Sequence, residues 1–291
     1  MCFSNRFGII LAAFGGIVVT IAVPANAQID IVFAPGTGSG EPVLVAPRPV
    51  TNAPLSCADF VLARELLNTS YSSASATSTN LIDKTLLDTA LDSYDRNICQ
   101  ESSNSGFGPS QIVIVDFAKP SSQPRLYAVD LVTGKGLGTP VVVAHGVGSD
   151  RDDDGIAERF SNVYNSFASS LGAARGGALY TGINGLSLRL DGLDPSNSQM
   201  RVRDIVAHSY APERRRYFNA SVMSVRGGKP GMSEGCFVVA PHVRDWLFGV
   251  LRDGGFLFAG LGGDRAKEMP SPVVRSEAVV GEVVFVPGTG G

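Results

Sequence analysis

The segment Gln111-Ile112-Val113-Ile114-Val115-Asp116-Phe117 decides the fold class. It is a short run of apolar and β-branched residues closed by Lys119-Pro120, and it reads as a strand. Seven further runs of this kind follow, at 125–132, 140–144, 178–183, 186–190, 205–208, 236–240 and 256–259, each bounded by Gly, Pro, Asn or Asp. One helix interrupts them over 241–252. There Val243, Trp246, Leu247, Val250 and Leu251 recur on one face, and Gly254-Gly255 end it. The chain from residue 111 onward is expected to be mainly β with one packed helix.

Ahead of that segment the periodicity is helical. Ser56-x-x-Asp59 has the form of a helix start and opens a pattern through Phe60, Leu62, Leu66 and Leu67. Asn80 opens a second pattern through Leu81, Ile82, Leu86, Leu87, Ala90, Leu91 and Tyr94. The Ser/Thr-rich stretch 68–80 reads as the loop between them, which gives a short α-helical hairpin. Residues 28–55, with Pro and Gly scattered through them, read as an extended arm. Before the arm, Arg6 precedes an uncharged apolar run from Ile9 to Val23, followed by the small-x-small cleavage signature Ala25-Asn26-Ala27. Such a run is too short to cross a ~30 Å hydrocarbon core stably, so it reads as a secretory signal peptide, and no stable membrane span is expected after its cleavage. The expected organisation is a signal peptide (1–27), an arm (28–55), a helical hairpin with its linker (56–108), a catalytic domain (109–262) and a C-terminal tail (263–291).

Cleavage takes Cys2 and leaves Cys57, Cys99 and Cys236. In an antiparallel hairpin the start of the first helix lies beside the end of the second, where Cys57 and Cys99 fall, and an exported protein meets conditions that let them bond. The other reading of that pair is two buried free thiols. Either way Cys236 has no partner. The 24 Lys and Arg against 27 Asp and Glu, with 44% apolar and 18% charged residues, support a packed core. A net charge of −3 offers no basic footprint for a phosphate backbone, which excludes nucleic acid as the partner.

With three His and one unpaired Cys, the chemistry has few candidates. His208 ends one strand run, and Cys236 follows Ser233-Glu234-Gly235 and opens the next. A thiol attacks as its thiolate, and His is the side chain that can take and return a proton near neutral pH. Gly235 permits close approach of a substrate, and N–H groups around such a turn can stabilise an oxyanion. His145, at a strand end before Gly146, reads equally as a cleft residue or as a hydrogen-bonded structural imidazole. His242, beside Pro241, reads as a surface or capping residue. No two His or Cys have zinc-ligand spacing. Asp150-x-Asp152-x-Asp154-Gly155, with Glu158 at the ninth position, matches the first half of a calcium loop, but Ser161 stands where the closing Glu belongs. A weak calcium site and a solvated acidic turn are the two readings of it.

The motifs also carry a resemblance. Ile114-Val115-Asp116-Phe117-Ala118-Lys119-Pro120, Arg125-Leu126-Tyr127-Ala128-Val129-Asp130-Leu131, Val143-Ala144-His145-Gly146, Phe160-Ser161-Asn162 and Ser169-Ser170-Leu171-Gly172 stand in order, followed by Tyr180-Thr181-Gly182, Ser187-Leu188-Arg189-Leu190-Asp191-Gly192, Ile205-Val206-Ala207-His208 and Ser233-Glu234-Gly235-Cys236. In these residues the chain resembles the YkuD-like murein L,D-transpeptidases, in the subfamily whose nucleophile motif reads Ser-x-Gly-Cys. The resemblance implies a β-sandwich catalytic domain. In it, Cys236 attacks the carbonyl of a diamino acid linked to D-Ala in a peptidoglycan stem peptide and forms a thioester. It implies His208 as the base, oriented by the Ser209 carbonyl, with Gly235 in the nucleophile turn and His145, Ser233 and Arg189 on the substrate side. The acyl group would pass to an amine in transpeptidation or to water in L,D-carboxypeptidase-type hydrolysis, and a catalytically weak murein-binding protein on the same fold is the third reading. No cofactor is required, and the implied location is the periplasm or cell envelope. The chain departs from the family pattern at Ser209, where Gly is usual, at Glu234, where an aromatic or His is common, and at Phe237, where Pro or an aliphatic residue is expected. No Arg follows Cys236 directly, which leaves Arg189, Arg203 and Arg226 as candidates for that charge.

Overall fold

The computed structural model describes the backbone of residues 7–14, 17–24, 30–33, 42–45, 52–72, 82–101, 106–209, 218 and 220–270. At the N-terminus β1 (Phe7–Phe14) and β2 (Ile17–Pro24) pair as an antiparallel ribbon, and β3 (Asp30–Phe33) pairs with β4 (Pro42–Val45) as a second. These ribbons lie in the stretches read as leader and arm. β5 (Pro54–Ser56) leads into helix α1 (Cys57–Ser72), and helix α2 (Lys84–Tyr94) continues into a π-helical turn over Asp95–Cys99. β6 (Phe107–Pro109) then returns to pair with β5.

The two helices form where the pattern placed them, with local corrections. Ser56 Oγ accepts the Asp59 N–H at 3.1 Å and starts α1 as expected. Its buried seam, however, is Phe60, Ala63 and Leu67, while Leu62 and Leu66 are 65% and 41% exposed. The i, i+3, i+7 set falls on one side of a 3.6-residue helix, and Leu62 and Leu66 are rotated away from it. α1 also runs to Ser72, into the stretch read as loop. The expected start of α2 at Asn80 lies outside the described residues. The observed cap is Asp83, whose carboxylate accepts the Leu86 N–H at 3.0 Å, and Leu86, Leu87, Ala90, Leu91 and Tyr94 are all buried.

Cys57 and Cys99 are disulfide-bonded across the hairpin with a Cα–Cα distance of 5.4 Å. The bond joins residues 42 apart, and the loss of chain entropy in the unfolded state makes it worth about 3 to 4 kcal/mol. Reduction is expected to lower the denaturation midpoint accordingly. Thiol counting under denaturing, non-reducing conditions should find one thiol in a chain beginning at Gln28, and a count of three would contradict the bond.

The remaining strands are β7 (Gln111–Asp116), β8 (Leu126–Asp130), β9 (Lys135–Gly136), β10 (Val143–Ala144), β11 (Gly172–Gly182), β12 (Gly185–Gly192), β13 (Val206–His208), β14 (Phe237–Val239) and β15 (Phe256–Gly260). They form one mixed sheet in the order β10-β14-β13-β12-β11-β15-β7-β8-β9, parallel at β13/β14 and β15/β7. Val141, just before β10, bridges Leu126 of β8, while β10 itself pairs with β14. The sheet therefore rolls until its two ends meet, and its halves face each other as the two layers of a sandwich. Phe117 and Phe237 stack across the interior with ring centroids 5.9 Å apart. Helix α4 (Pro241–Leu251) packs into that interior through Val243, Leu247, Phe248, Val250 and Leu251, with Trp246 partly buried beside them.

Alternation along the strands sorts side chains into two cores. Val113 and Val115 face the interior, whereas Ile112, Ile114, Tyr127, Val129, Phe256 and Phe258 face outward and are roofed by α1 and α2. The β7 run lacks an apolar/polar alternation because both of its faces are covered. Two features escaped the sequence pattern. β11 begins at Gly172, ahead of the expected 178, because Ala173 and Ala174 enter opposite cores without any β-branched signal. A short helix α3 (Ala220–Val225) also lies in the connection from β13 to β14.

Candidate functional site

The parallel pair β13/β14 builds the site. Its register sets Ala207 beside Phe237 and His208 beside Val238. Ile205, Ala207, Phe237 and Val239 point into the interior core, so by alternation Val206, His208, Cys236 and Val238 share the opposite face. One register step back from the Ala207 pair, Cys236 comes beside Val206, with His208 one diagonal away on the same face. The sequence leaves 27 residues between these two side chains, and adjacent parallel strands bring them together. β12 extends the face, pairing Ser187 with His208 and Arg189 with Val206. The Arg189 guanidinium lies 4.2 Å from the centroid of the Tyr180 ring and 3.4 Å from the Asp204 carboxylate. Arg189 thus stands on the same face two strands from Cys236.

His208 is buried, and its Nδ1 hydrogen-bonds the Ser209 carbonyl oxygen. That carbonyl accepts only, so Nδ1 carries the proton and Nε2 is the basic nitrogen. Burial pushes the His208 pKa down from its ordinary value, and the Ser209 bond opposes that. Ser209, in place of the usual Gly, still supplies the orienting backbone carbonyl. Cys236 is partly exposed, and its Sγ lies 3.5 Å from the Asp204 carbonyl oxygen. Desolvation pushes its thiol up to about 11; Glu234 and Asp204 add to the rise, while the Val206 amide and Arg203 oppose it. The resting pair is therefore a neutral thiol with a neutral imidazole.

The turn ahead of the nucleophile is held by Ser233. Its Oγ accepts the Gly235 N–H at 3.1 Å and donates to the Cys236 carbonyl at 2.8 Å, and its own N–H donates to His145 O at 2.8 Å. Ser233 is 2% exposed and belongs to the frame of the turn, not to its substrate side. The Gly235 N–H is thus engaged by Ser233 Oγ. Gly235 itself has φ 114°, and a Cβ there would stand 2.7 Å from both Ala168 O and Ile205 Cδ1. Both the backbone conformation and the space require glycine.

His145 does not reach the cleft. It is 1% exposed, with Nδ1 3.0 Å from an Arg125 guanidinium nitrogen and Nε2 3.1 Å from Asp150 Oδ2. Arg125, itself fully buried, also donates to Val143 O and Lys119 O. An N–H donor aimed at Nδ1 requires the neutral ring. Burial first, and then Arg125, hold the His145 pKa down at about 3. The depressed value fixes the sign of a pH effect. Between about pH 6.5 and 3 the unfolded chain binds a proton at His145 that the folded chain refuses. The contribution of this site to stability is complete above pH 6.5 and is lost as the pH falls through that window, by about 5 kcal/mol. Denaturation midpoints across that range should fall more steeply for the native chain than for His145→Gln; equal slopes would contradict the assignment.

The acidic run forms a braced turn. Asp150, Asp152 and Asp154 carry carboxylate oxygens within 4.8 Å of one another, and Glu158 is exposed nearby. Asp150 is fully buried, and its oxygens accept the Asp154 and Gly155 N–H groups as well as His145. Asp153, which the calcium-loop pattern passes over, makes a bidentate pair with Arg226 at 2.5 and 2.6 Å, and Lys229 also bonds it. Arg226 thus serves this turn. Arg203 lies nearer the nucleophile and donates four hydrogen bonds into the 161–170 loop. His242 is exposed in the first turn of α4, as expected. Arg125, Asp153 and Asp204 were missed because their roles depend on contacts with segments distant in sequence. A charged residue opening the apolar run 125–131 was the one available hint.

Among curated proteins nothing matches the chain significantly. The family model of the L,D-transpeptidase catalytic domain matches residues 78–259. That stretch takes in α2, the rolled sheet, His208, Cys236 and the Ser233-Glu234-Gly235 turn between them. With more than half of its length matched, over the sheet that carries the His–Cys pair, the chain belongs to the L,D-transpeptidase catalytic-domain family.

Proposed function

We propose that the protein is a cysteine acyltransferase of the cell envelope that acts on peptidoglycan stem peptides, with Cys236 as nucleophile and His208 as base. The observation that carries this reading is the placement of the two side chains on one face of adjacent parallel strands, with the His208 tautomer set by Ser209. His208 Nε2 takes the thiol proton as Sγ attacks the carbonyl of the diamino acid that precedes D-Ala. The tetrahedral intermediate collapses to a thioester, the C–N bond breaks, and the D-Ala amine leaves with the proton from His208. A second amine, or water, then attacks the thioester, gives its proton to His208 and releases Cys236. The neutral resting pair suits this order of events, because the proton moves during attack and no stable thiolate is needed beforehand. On this reading Arg189, on the same face, meets a carboxylate of the stem. An N-terminal export leader would deliver the enzyme to the periplasm, where this substrate lies.

Muropeptide analysis after incubation of the purified protein with peptidoglycan sacculi tests the reading. Crosslinks between diamino acids identify an amine acceptor, and shortened stems identify water. Sacculi left unchanged in both respects would overturn the enzymatic reading in favour of a murein-binding role.

A further inference from the structure

The loop 161–170 bends sharply enough to put two residues other than glycine in the left-handed region, Asn165 at φ 58° and Phe167 at φ 53°. Such conformations are unfavourable for residues other than glycine and persist only where the surroundings impose them. The imposing group is the Arg203 guanidinium. One terminal nitrogen donates to Ser161 O at 2.5 Å and Ser170 Oγ at 2.7 Å; the other donates to Ala168 O at 2.6 Å and Ser166 Oγ at 3.1 Å. All four terminal N–H groups are thereby committed, and the planar fork fixes the charge in place.

What the clamp holds lies against the nucleophile. Ala168 O stands where a Cβ on Gly235 would come within 2.7 Å, and Phe167 O and Gly235 N both crowd Gly146. From the other side, Asp204, which follows Arg203 and has φ 52°, presents its carbonyl oxygen 3.5 Å from Cys236 Sγ. The dipeptide Arg203-Asp204 therefore meets the Gly235–Cys236 turn through a carbonyl at the thiol and through the loop that the guanidinium grips. Among the described residues, the charged and titratable groups around the thiol are Glu234, Asp204, Arg203 and, on the neighbouring strand, His208. Glu234 and Asp204 oppose a thiolate, and Arg203 is the cation among the described residues that favours it. Arg189 and Arg226 are engaged with Asp204 and Asp153.

We propose that Arg203 is the positioning residue of the nucleophile: its clamped guanidinium holds the 161–170 loop against the Gly235–Cys236 turn and stands as the fixed cation beside the Cys236 thiolate as it forms. The inference extends the acyltransferase reading, but its first test does not need that reading. The rate of alkylation of Cys236 by iodoacetamide, followed against pH in the full chain, reports the thiolate directly.

Arg203→Gln should cut the thiolate fraction at a given pH by roughly 3- to 10-fold, and Arg203→Lys, which keeps the charge, should restore most of it. Carbapenem acylation should slow in the same order, chiefly through the maximal rate and less through the concentration needed to reach half of it. An alkylation profile in Arg203→Gln that matches the native one, with only the melting temperature lowered, would overturn the proposal and leave a brace for the loop. Where Arg203→Gln does not fold, Ser170→Ala and Ser166→Ala loosen the clamp by one bond each; an unchanged profile in both would overturn it equally. A shifted alkylation profile in a protein that no stem peptide or carbapenem acylates would leave the Arg203 inference standing and remove the transpeptidase reading.

Discussion

Cys236→Ala abolishes acyl-enzyme formation and leaves the fold intact. Cys236 is the one free cysteine among the described residues, and it shares the outer face of β13 and β14 with His208. Losing the sulfur removes a group that is partly exposed and contributes nothing to either hydrophobic core, so the melting temperature should stay within a few degrees of the native value. Intact-mass measurement after exposure to a carbapenem reads the result: the native chain gains one adduct and the variant gains none. An adduct of equal yield on the variant would mean that another residue carries the chemistry.

The second large effect belongs to His208. Its replacement by alanine should slow acylation by ~10²- to 10⁴-fold, the usual worth of a positioned base. The pH profile should change shape as well. In the native chain the rate follows the neutral imidazole, whose pKa burial holds below its ordinary value, so activity persists to mildly acid pH and falls below it. Without the base only preformed thiolate reacts. With the Cys236 thiol pushed up to about 11, the variant's rate should climb about tenfold per pH unit through the neutral range. A plateau near neutral pH in His208→Ala would show that the thiol loses its proton to some other group.

The parts of this molecule legible from its sequence are those set by local pattern. Gln111 to Asp116 could be read as a strand because Ile112 to Val115 are consecutive β-branched residues, all of which prove buried, and α2 because Leu86, Leu87, Ala90, Leu91 and Tyr94 repeat at helical spacing. Cys57 and Cys99 were readable as partners because a hairpin of two helices brings its ends together. His208 and Cys236 were readable as candidates through residue type, but spacing carried no geometry for them. Only the parallel pairing of β13 and β14, with the whole crossover between them, sets them on one face. His145 shows the opposite outcome. A strand-end histidine before glycine looks the same in sequence whether it faces a cleft or is locked between Arg125 and Asp150, and the fold chose the lock. Ser233 likewise reads as a substrate contact until its hydroxyl is seen to bridge Gly235 N–H and Cys236 O. The seam of α1 differs from the leucine pattern: Leu62 and Leu66 face outward, and Phe60, Ala63 and Leu67 are buried.

The central claim is that Cys236 forms a thioester with a stem peptide at the expense of its terminal D-Ala. The most direct measurement is rapid quench of the native chain with a tetrapeptide stem ending in D-Ala, followed by intact mass, peptide mapping and assay of free D-Ala. The account predicts an added mass equal to the tripeptide acyl group, located on Cys236, with one D-Ala released for each adduct formed. Release of D-Ala without any adduct on Cys236, or an adduct located on another residue, would contradict it.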